Sequence, residues 1–151
     1  MRRIICVGNR YVRGDEAGSK VYDFLLGTPL PPNVQLIDAG LMGLDLLRLL
    51  EGAERVVFVD SVSGFGRPGE VVILDGASLV RGAAADYGHS GGLGYLFRVL
   101  PAVCEGQIPD MALIGVEKPA EIEAEIEEET VEKIAREALR ITERGVRRKK
   151  D

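Results

Sequence analysis

The sequence predicts one α/β domain over residues 1–151, built on a mostly parallel mixed sheet of about five strands with one antiparallel strand. Three observations carry this prediction. Short β-branched apolar runs alternate with apolar residues at helical spacing, the pattern of successive βα units. The run Arg55 to Val59 is apolar enough to be buried on both faces, as a central strand of a parallel sheet is. The stretch between Asp60 and Val71 has no helical pattern and is too short for a crossover, so the strand that follows it returns antiparallel. A chain of 151 residues buries roughly 68–70% of its unfolded surface and needs neither disulfide nor metal in order to fold.

Taken in order, Ile4-Ile5-Cys6-Val7 is the first strand, and it opens into the loop Gly8-Asn9-Arg10-Tyr11-Val12-Arg13-Gly14-Asp15-Glu16. Ala17, Val21, Phe24 and Leu25 recur at helical spacing and mark the first helix. The segment Gly27 to Asn33 stops it, because its three prolines remove backbone donors. Val34 to Ile37 is the second strand, ending in the loop Asp38-Ala39-Gly40-Leu41-Met42-Gly43, and Leu44, Leu47 and Leu50 mark a second helix. The third strand, Arg55 to Val59, stops at Asp60, and Val71 to Leu74 is the antiparallel fourth strand. Asp75 to Gly92 is a polar, Gly/Ala-rich stretch that contains His89, and Leu93, Leu96, Phe97 and Leu100 mark a third helix. Met111 to Val116 is the fifth strand. In the last helix Thr130 is the expected N-cap, and Val131, Ile134, Ala138 and Ile141 form the buried stripe. Glu127, Glu128 and Glu129 lie at that helix's positive end, which gives them a structural role.

The net charge of −5 argues against nucleic acid as a partner. The basic residues Arg144, Arg147, Arg148, Lys149 and Lys150 gather at the chain end, where residues 146–151 read as a solvated basic tail. Cys6 and Cys104 make neither a metal spacing nor a disulfide framework, which suits a reducing compartment. No signal peptide precedes the first strand, and no apolar run approaches the roughly 20 residues of a membrane span. The expectation is a soluble cytoplasmic protein, acting as a monomer.

The first loop carries an acidic pair where α/β sheets bind their ligands, outside the carboxyl ends of the strands. It lacks the G-x-G-x-x-G of dinucleotide sites and the Gly-Lys-Ser/Thr of P-loops. Asp15 and Glu16 would repel a phosphate there, although Arg10 and Arg13 partly compensate. Asp15, Asp60 and His89 can all reach one rim of the sheet. Two carboxylates and an imidazole suit zinc, nickel or a similar divalent ion with an exchangeable position. The same residues can also be a helix cap, a strand-end acid bonding its own loop and a satisfied loop histidine. Spacing alone does not decide between these readings. No G-x-S-x-G elbow is present, Cys6 in a buried strand is a poor thiolate, and H-E-x-x-H is impossible with a single histidine.

Cys6-Val7-Gly8-Asn9 with Gly14-Asp15 and Gly18 resembles the G-N-x(4)-[GD]-D-x-x-G opening of the hydrogenase maturation endopeptidases. Asp38-Ala39-Gly40 is similar to that family's D-G-G loop. Val59-Asp60-Ser61 and Arg67-Pro68-Gly69-Glu70 are similar to its V-D-A and P-G segments. His89 ahead of Gly92-Leu93-Gly94-Tyr95-Leu96, and Ile114-Gly115-Val116 with Pro119, continue the match in order to about residue 145. The resemblance implies a three-layer domain, its five-stranded mixed sheet covered by helices on both faces. It implies an endopeptidase that removes a C-terminal peptide from the large-subunit precursor of a nickel-iron hydrogenase, with the precursor's nickel as the metal and no organic cofactor. By the same match Asp15, Asp60 and His89 would be the metal-holding and catalytic residues, Gly8, Asn9 and Gly40 would shape the cleft, and Asp38 would position the substrate.

The chain departs from the family pattern in three places. The gapless match puts Gly14 at the first acid position and Asp15 at the second, whereas a one-residue gap would make Glu16 the ligand in place of Asp15. Leu41-Met42 replaces the small or hydroxyl residues common after the second strand, and an extra residue separates Gly115 from Pro119. Two alternatives stay open at this point. One is a peptidase of the same fold with another protein substrate, and the other is a non-catalytic metal-binding or scaffold protein.

Overall fold

The computed structural model describes residues 1–41, 44–80, 93–103, 108–120 and 125–147. Five strands, β1 (Arg2–Val7), β2 (Val34–Gly40), β3 (Arg55–Val62), β4 (Val71–Asp75) and β5 (Asp110–Glu117), form one sheet in the order β2-β1-β3-β5-β4. The first three pairings across that order are parallel, and β4 pairs antiparallel with β5, Val71 opposite Val116 and Asp75 opposite Ala112. The antiparallel return expected from the short gap after Asp60 is therefore present.

Strand alternation divides the core in two. Ile4, Cys6, Val57, Val59, Ala112 and Ile114 face helices α1 (Ala17–Leu26) and α5 (Glu128–Arg144). Ile5, Val7, Phe58, Val62, Met111 and Leu113 face the other side. There they meet α2 (Leu47–Leu50), α3 (Gly76–Val80) and α4 (Leu93–Val103), whose Leu50, Leu79, Leu96, Phe97 and Leu100 are buried. Phe58 and Phe97 meet edge to face, with ring centroids 5.4 Å apart and planes at 80°. Helices thus cover both faces of a five-stranded mixed sheet.

Several boundaries differ from the expected ones. β3 does not stop at Asp60: β5 pairs with it through Ser61 and Val62, and that partner holds the polar residues in extended form. β2 likewise runs on through Asp38, Ala39 and Gly40. The second helix opens with a 3₁₀ turn, Leu44–Leu46, which brings Leu46 into the core beside Leu50. Thr130 is not the N-cap of α5: the cap position is Glu127, extended at φ −68° and ψ 145°, and Thr130 lies within the first turn. Helix α3 falls in the polar, Gly/Ala-rich stretch, for which the sequence indicates no helix, with Asp75 Oδ1 accepting a hydrogen bond from the Ser78 N–H at 2.8 Å. His89, Met42 and Cys104 lie outside the described residues.

The packing of α1 onto β1 positions the first loop. A Cβ on Gly18 would lie 2.2 Å from the Val7 carbonyl oxygen and 2.9 Å from its nitrogen, so only a glycine permits this approach. Gly18→Ala is expected to lower stability by roughly 3 kcal/mol, because backbone rather than a flexible side chain would have to move. Gly27→Ala, whose Cβ would meet only the Phe24 oxygen at 3.7 Å, is expected to change it by less than about 1 kcal/mol. Urea unfolding of the two variants checks the difference.

Candidate active site

The loop between β1 and α1 is closed by its own polar groups. The Gly8 N–H donates to the Gly40 carbonyl at 2.8 Å, which joins the ends of β1 and β2. Gly8 has φ +132°, and a Cβ there would lie 2.5 Å from the Asp15 carbonyl oxygen, so glycine is required on both counts. The Asn9 side-chain oxygen accepts the Tyr11 N–H at 2.9 Å, and the Asn9 N–H donates to Asp15 Oδ2 at 3.0 Å. The Asp15 N–H in turn donates to the Val12 carbonyl at 3.0 Å. Asp15 is thereby held through one carboxylate oxygen. Its other oxygen, Oδ1, is buried and has no hydrogen-bond partner among the described residues.

Asp60 is fully buried in β3, with its Oδ1 accepting the Ser61 N–H at 2.8 Å. The register places it level with Val7, since Cys6 lies opposite Val59. Asp15 and Asp60 therefore belong to the carboxyl rim of two adjacent parallel strands. By alternation with Phe58 and Val62, Asp60 lies on the sheet face covered by α2, α3 and α4.

Glu16 goes elsewhere. Its carboxylate pairs with Lys20 Nζ at 3.8 Å, and Lys20 also reaches Glu125 at 3.9 Å. With Gly14, Ser61, Gly69, Lys118 and Pro119, Glu16 lines a cleft of about 490 Å³ on the α1 and α5 side. Gly8, Asn9, Asp38 and Gly40, the residues expected to shape the cleft and position substrate, meet around a separate groove of about 260 Å³ with Arg10 and Leu41. Asp38 accepts the Gly40 N–H at 3.2 Å and Arg10 Nη2 at 3.3 Å. The same guanidinium nitrogen reaches Asp23 at 3.5 Å. The carboxylates of Asp23 and Asp38 hold the Arg10 guanidinium further toward its charged form.

Two working residues were not singled out from the sequence. Glu117, mostly buried at the end of β5, accepts the Gly64 N–H at 2.6 Å and the Phe65 N–H at 3.1 Å, fixing the loop after β3. A glutamate closing an apolar strand just before Lys118-Pro119 is the signal that could have found it. The sequence suggests Arg10 only as compensation for a phosphate, whereas its partners come from α1 and β2. Among the described residues no three His, Cys, Asp or Glu side chains form a metal-holding group, and His89 is not one of those residues. Cys6 is a free buried thiol, and burial pushes its pKa up, with Asp38 and Asp23 adding to the shift.

A mixed sheet with Asp15 and Asp60 at the carboxyl ends of two adjacent parallel strands defines an α/β protein with an acidic rim. The family model for hydrogenase maturation proteases matches residues 26–144. Among solved structures the chain is similar to the hydrogenase maturating endopeptidase HybD from E. coli, with TM-score 0.72 and 27% identity over 92% of this chain and 87% of that one. It is similar to an endopeptidase from Escherichia coli determined in solution, with TM-score 0.70 and 26% identity over 95% and 94% of the two chains. It is also similar to the hydrogenase 2 maturation peptidase of a Thaumarchaeota archaeon, with TM-score 0.57 and 31% identity over 93% of each chain. Comparison with curated proteins finds no match. The chain belongs to the hydrogenase maturation protease family, and it is a peptidase. Among the described residues no helix is long and apolar enough to cross a membrane.

Two outcomes follow from this geometry. Glu117→Ala leaves the Gly64 and Phe65 amides without their acceptor and is expected to cost about 1–3 kcal/mol in urea unfolding. The Cys6 thiol is expected to resist iodoacetamide at mildly alkaline pH in the folded protein and to react once urea unfolds it, as peptide mass spectrometry would show.

Proposed function

We propose that this peptidase removes a C-terminal peptide from the large-subunit precursor of a nickel-iron hydrogenase. In this reading Asp15, Asp60 and His89 engage the nickel that the precursor carries. The observation that carries it is the asymmetry of Asp15: Oδ2 is fixed by the Asn9 N–H, while Oδ1 is buried without a partner among the described residues. An orphaned carboxylate oxygen is costly unless a ligand satisfies it. A divalent cation is the ligand for which a hard, anionic oxygen is suited. Asp60 on the neighbouring strand supplies a second carboxylate at the same rim. His89 enters the set from the sequence match.

The same geometry favours Asp15 over Glu16, whose carboxylate is committed to Lys20 on the α1 and α5 side. Nickel bound at the rim would polarise a nearby carbonyl or lower the pKa of a water. The chain's own groups then have distinct tasks. The Asn9 N–H keeps the Asp15 carboxylate oriented, the Gly8 and Gly40 backbones join the two loops, and Asp38, held by Arg10, sits at the groove where substrate would be positioned. Cys6, kept as a free buried thiol, is in keeping with a reducing cytoplasm.

Incubation with nickel-loaded and nickel-free precursor tests this. Shortening of the loaded form alone is the expected result. Asp15→Asn and His89→Ala are expected to slow it on the order of 100-fold, the loss that follows removal of a group holding the reacting centre. Glu16→Gln, which loses only the 3.8 Å pair with Lys20, should stay within about fivefold. No shortening of a precursor that its cognate protease does shorten would overturn the substrate. Equal cutting of the nickel-free form would point instead to a same-fold peptidase that does not read nickel. Divalent-ion binding unchanged by His89→Ala in calorimetry would remove His89 from the site.

A further inference from the structure

The cleft on the α1 and α5 side belongs to none of the metal-reading residues, yet it begins one residue from each described acid. Gly14 precedes Asp15 and Ser61 follows Asp60, and both line it. Strand alternation turns Ser61 to the sheet face opposite Asp60. The cleft therefore opens at the same strand ends as Asp15 and Asp60, on the other face of the sheet. Its volume of about 490 Å³ lies within the range of about 300–1,000 Å³ typical of ligand pockets.

The lining has a definite chemistry. Ala17, Val116, Pro119 and Ile126 supply apolar contact. Ser61 is 1% exposed, and its Oγ has no hydrogen-bond partner among the described residues. A hydroxyl can both donate and accept, which matches the alternating carbonyls and amides of a peptide backbone. Glu16, Glu125 and Glu127 stand around the cleft against Lys118. Lys20 ties Glu16 and Glu125, and Glu127 has no ion-pair partner among the described residues. Glu127, Glu128 and Glu129 also offset the positive end of α5, so the cleft disfavours carboxylates and phosphates.

We infer that this cleft is a substrate subsite: it takes an extended stretch of the protein substrate beside the scissile bond and seats a lysine or arginine side chain against the Glu127 side of its rim. The inference rests on the precursor-cutting reading for the identity of the protein substrate. Ser61 is the backbone-binding group at its floor and Glu127 the specificity-determining one.

The test needs no precursor. Full-length isotope-labelled protein is titrated by NMR with two probes, acetyl-Val-Arg-Val-amide and acetyl-Val-Glu-Val-amide. The arginine peptide is expected to shift the amides of Ser61, Val116 and Thr130 and to bind at least about tenfold tighter than the glutamate peptide. Glu127→Lys should reverse that order. Ser61→Ala should weaken the arginine peptide several-fold while leaving Tm unchanged or raised, because an unpartnered hydroxyl contributes no stability to lose. Equal affinities for the two probes, shifts confined to the groove around Asn9 and Asp38, or a Ser61→Ala variant with lower Tm and unaltered binding would each overturn the subsite. Binding in the cleft by a protein that cuts no hydrogenase precursor would leave the subsite standing and remove only the precursor.

Discussion

Helix α1 lies so close to the end of β1 that nothing larger than hydrogen fits on Gly18 against the Val7 backbone. This contact sets the entry of the helix and hence the span that the residues from Gly8 to Glu16 must close. A loop confined in that way satisfies its backbone internally. Val12 and Asp15 bond back to Asn9 and Val12, and the Asn9 side chain takes the Tyr11 amide. What remains for Asp15 is a single donor on one oxygen and none on the other. The orphaned oxygen thus lies in a loop that is anchored at one end by this helix contact.

The order of strands and helices was legible because it rests on local pattern and chain length. Alternating apolar runs give the βα units, and a gap too short for a crossover forces β4 to run against β5. The ends of elements were less legible, and for one reason. Asp60 looks like a terminus in the sequence, but β5 offers Gly115, Val116 and Glu117 to pair with Asp60, Ser61 and Val62, and pairing overrides polarity. Helix α3 is a five-residue element held by the Asp75 cap and by burial of Leu79, neither of which shows as periodicity. At α5 three glutamates precede Thr130, and the helix starts among them instead of at the better capping residue.

The candidate site divides in the same way. That Asp15 and Asp60 belong to one rim follows from parallel topology, which the sequence carries. Which of two adjacent acids turns toward that rim does not follow, because Asp15 and Glu16 share their chemistry and differ only by a one-residue gap in the match. The difference lies in long-range partners: Glu16 is drawn to Lys20, which is itself shared with Glu125 far along the chain. Glu117 was hidden for a similar reason, since its acceptors serve amides more than fifty residues away, Gly64 and Phe65.

The extension of β3 past Asp60 has a further effect. In a strand, neighbouring side chains go to opposite faces, so an acid at a strand end is followed by a residue committed to the other side of the sheet. Had β3 stopped at Asp60, as its polarity suggests, Ser61 would have been free to turn toward solvent. Because β5 carries the pairing two residues further, Ser61 is instead fixed and buried at the floor of the α1 and α5 cleft. Glu117, closing the same pairing, holds the loop that brings Pro68 and Gly69 to the cleft's edge. One strand end thus places an acid on one face and a cleft floor on the other. A protein substrate lying across such an edge would meet both faces at once, because the acid and the cleft floor are successive residues of one strand.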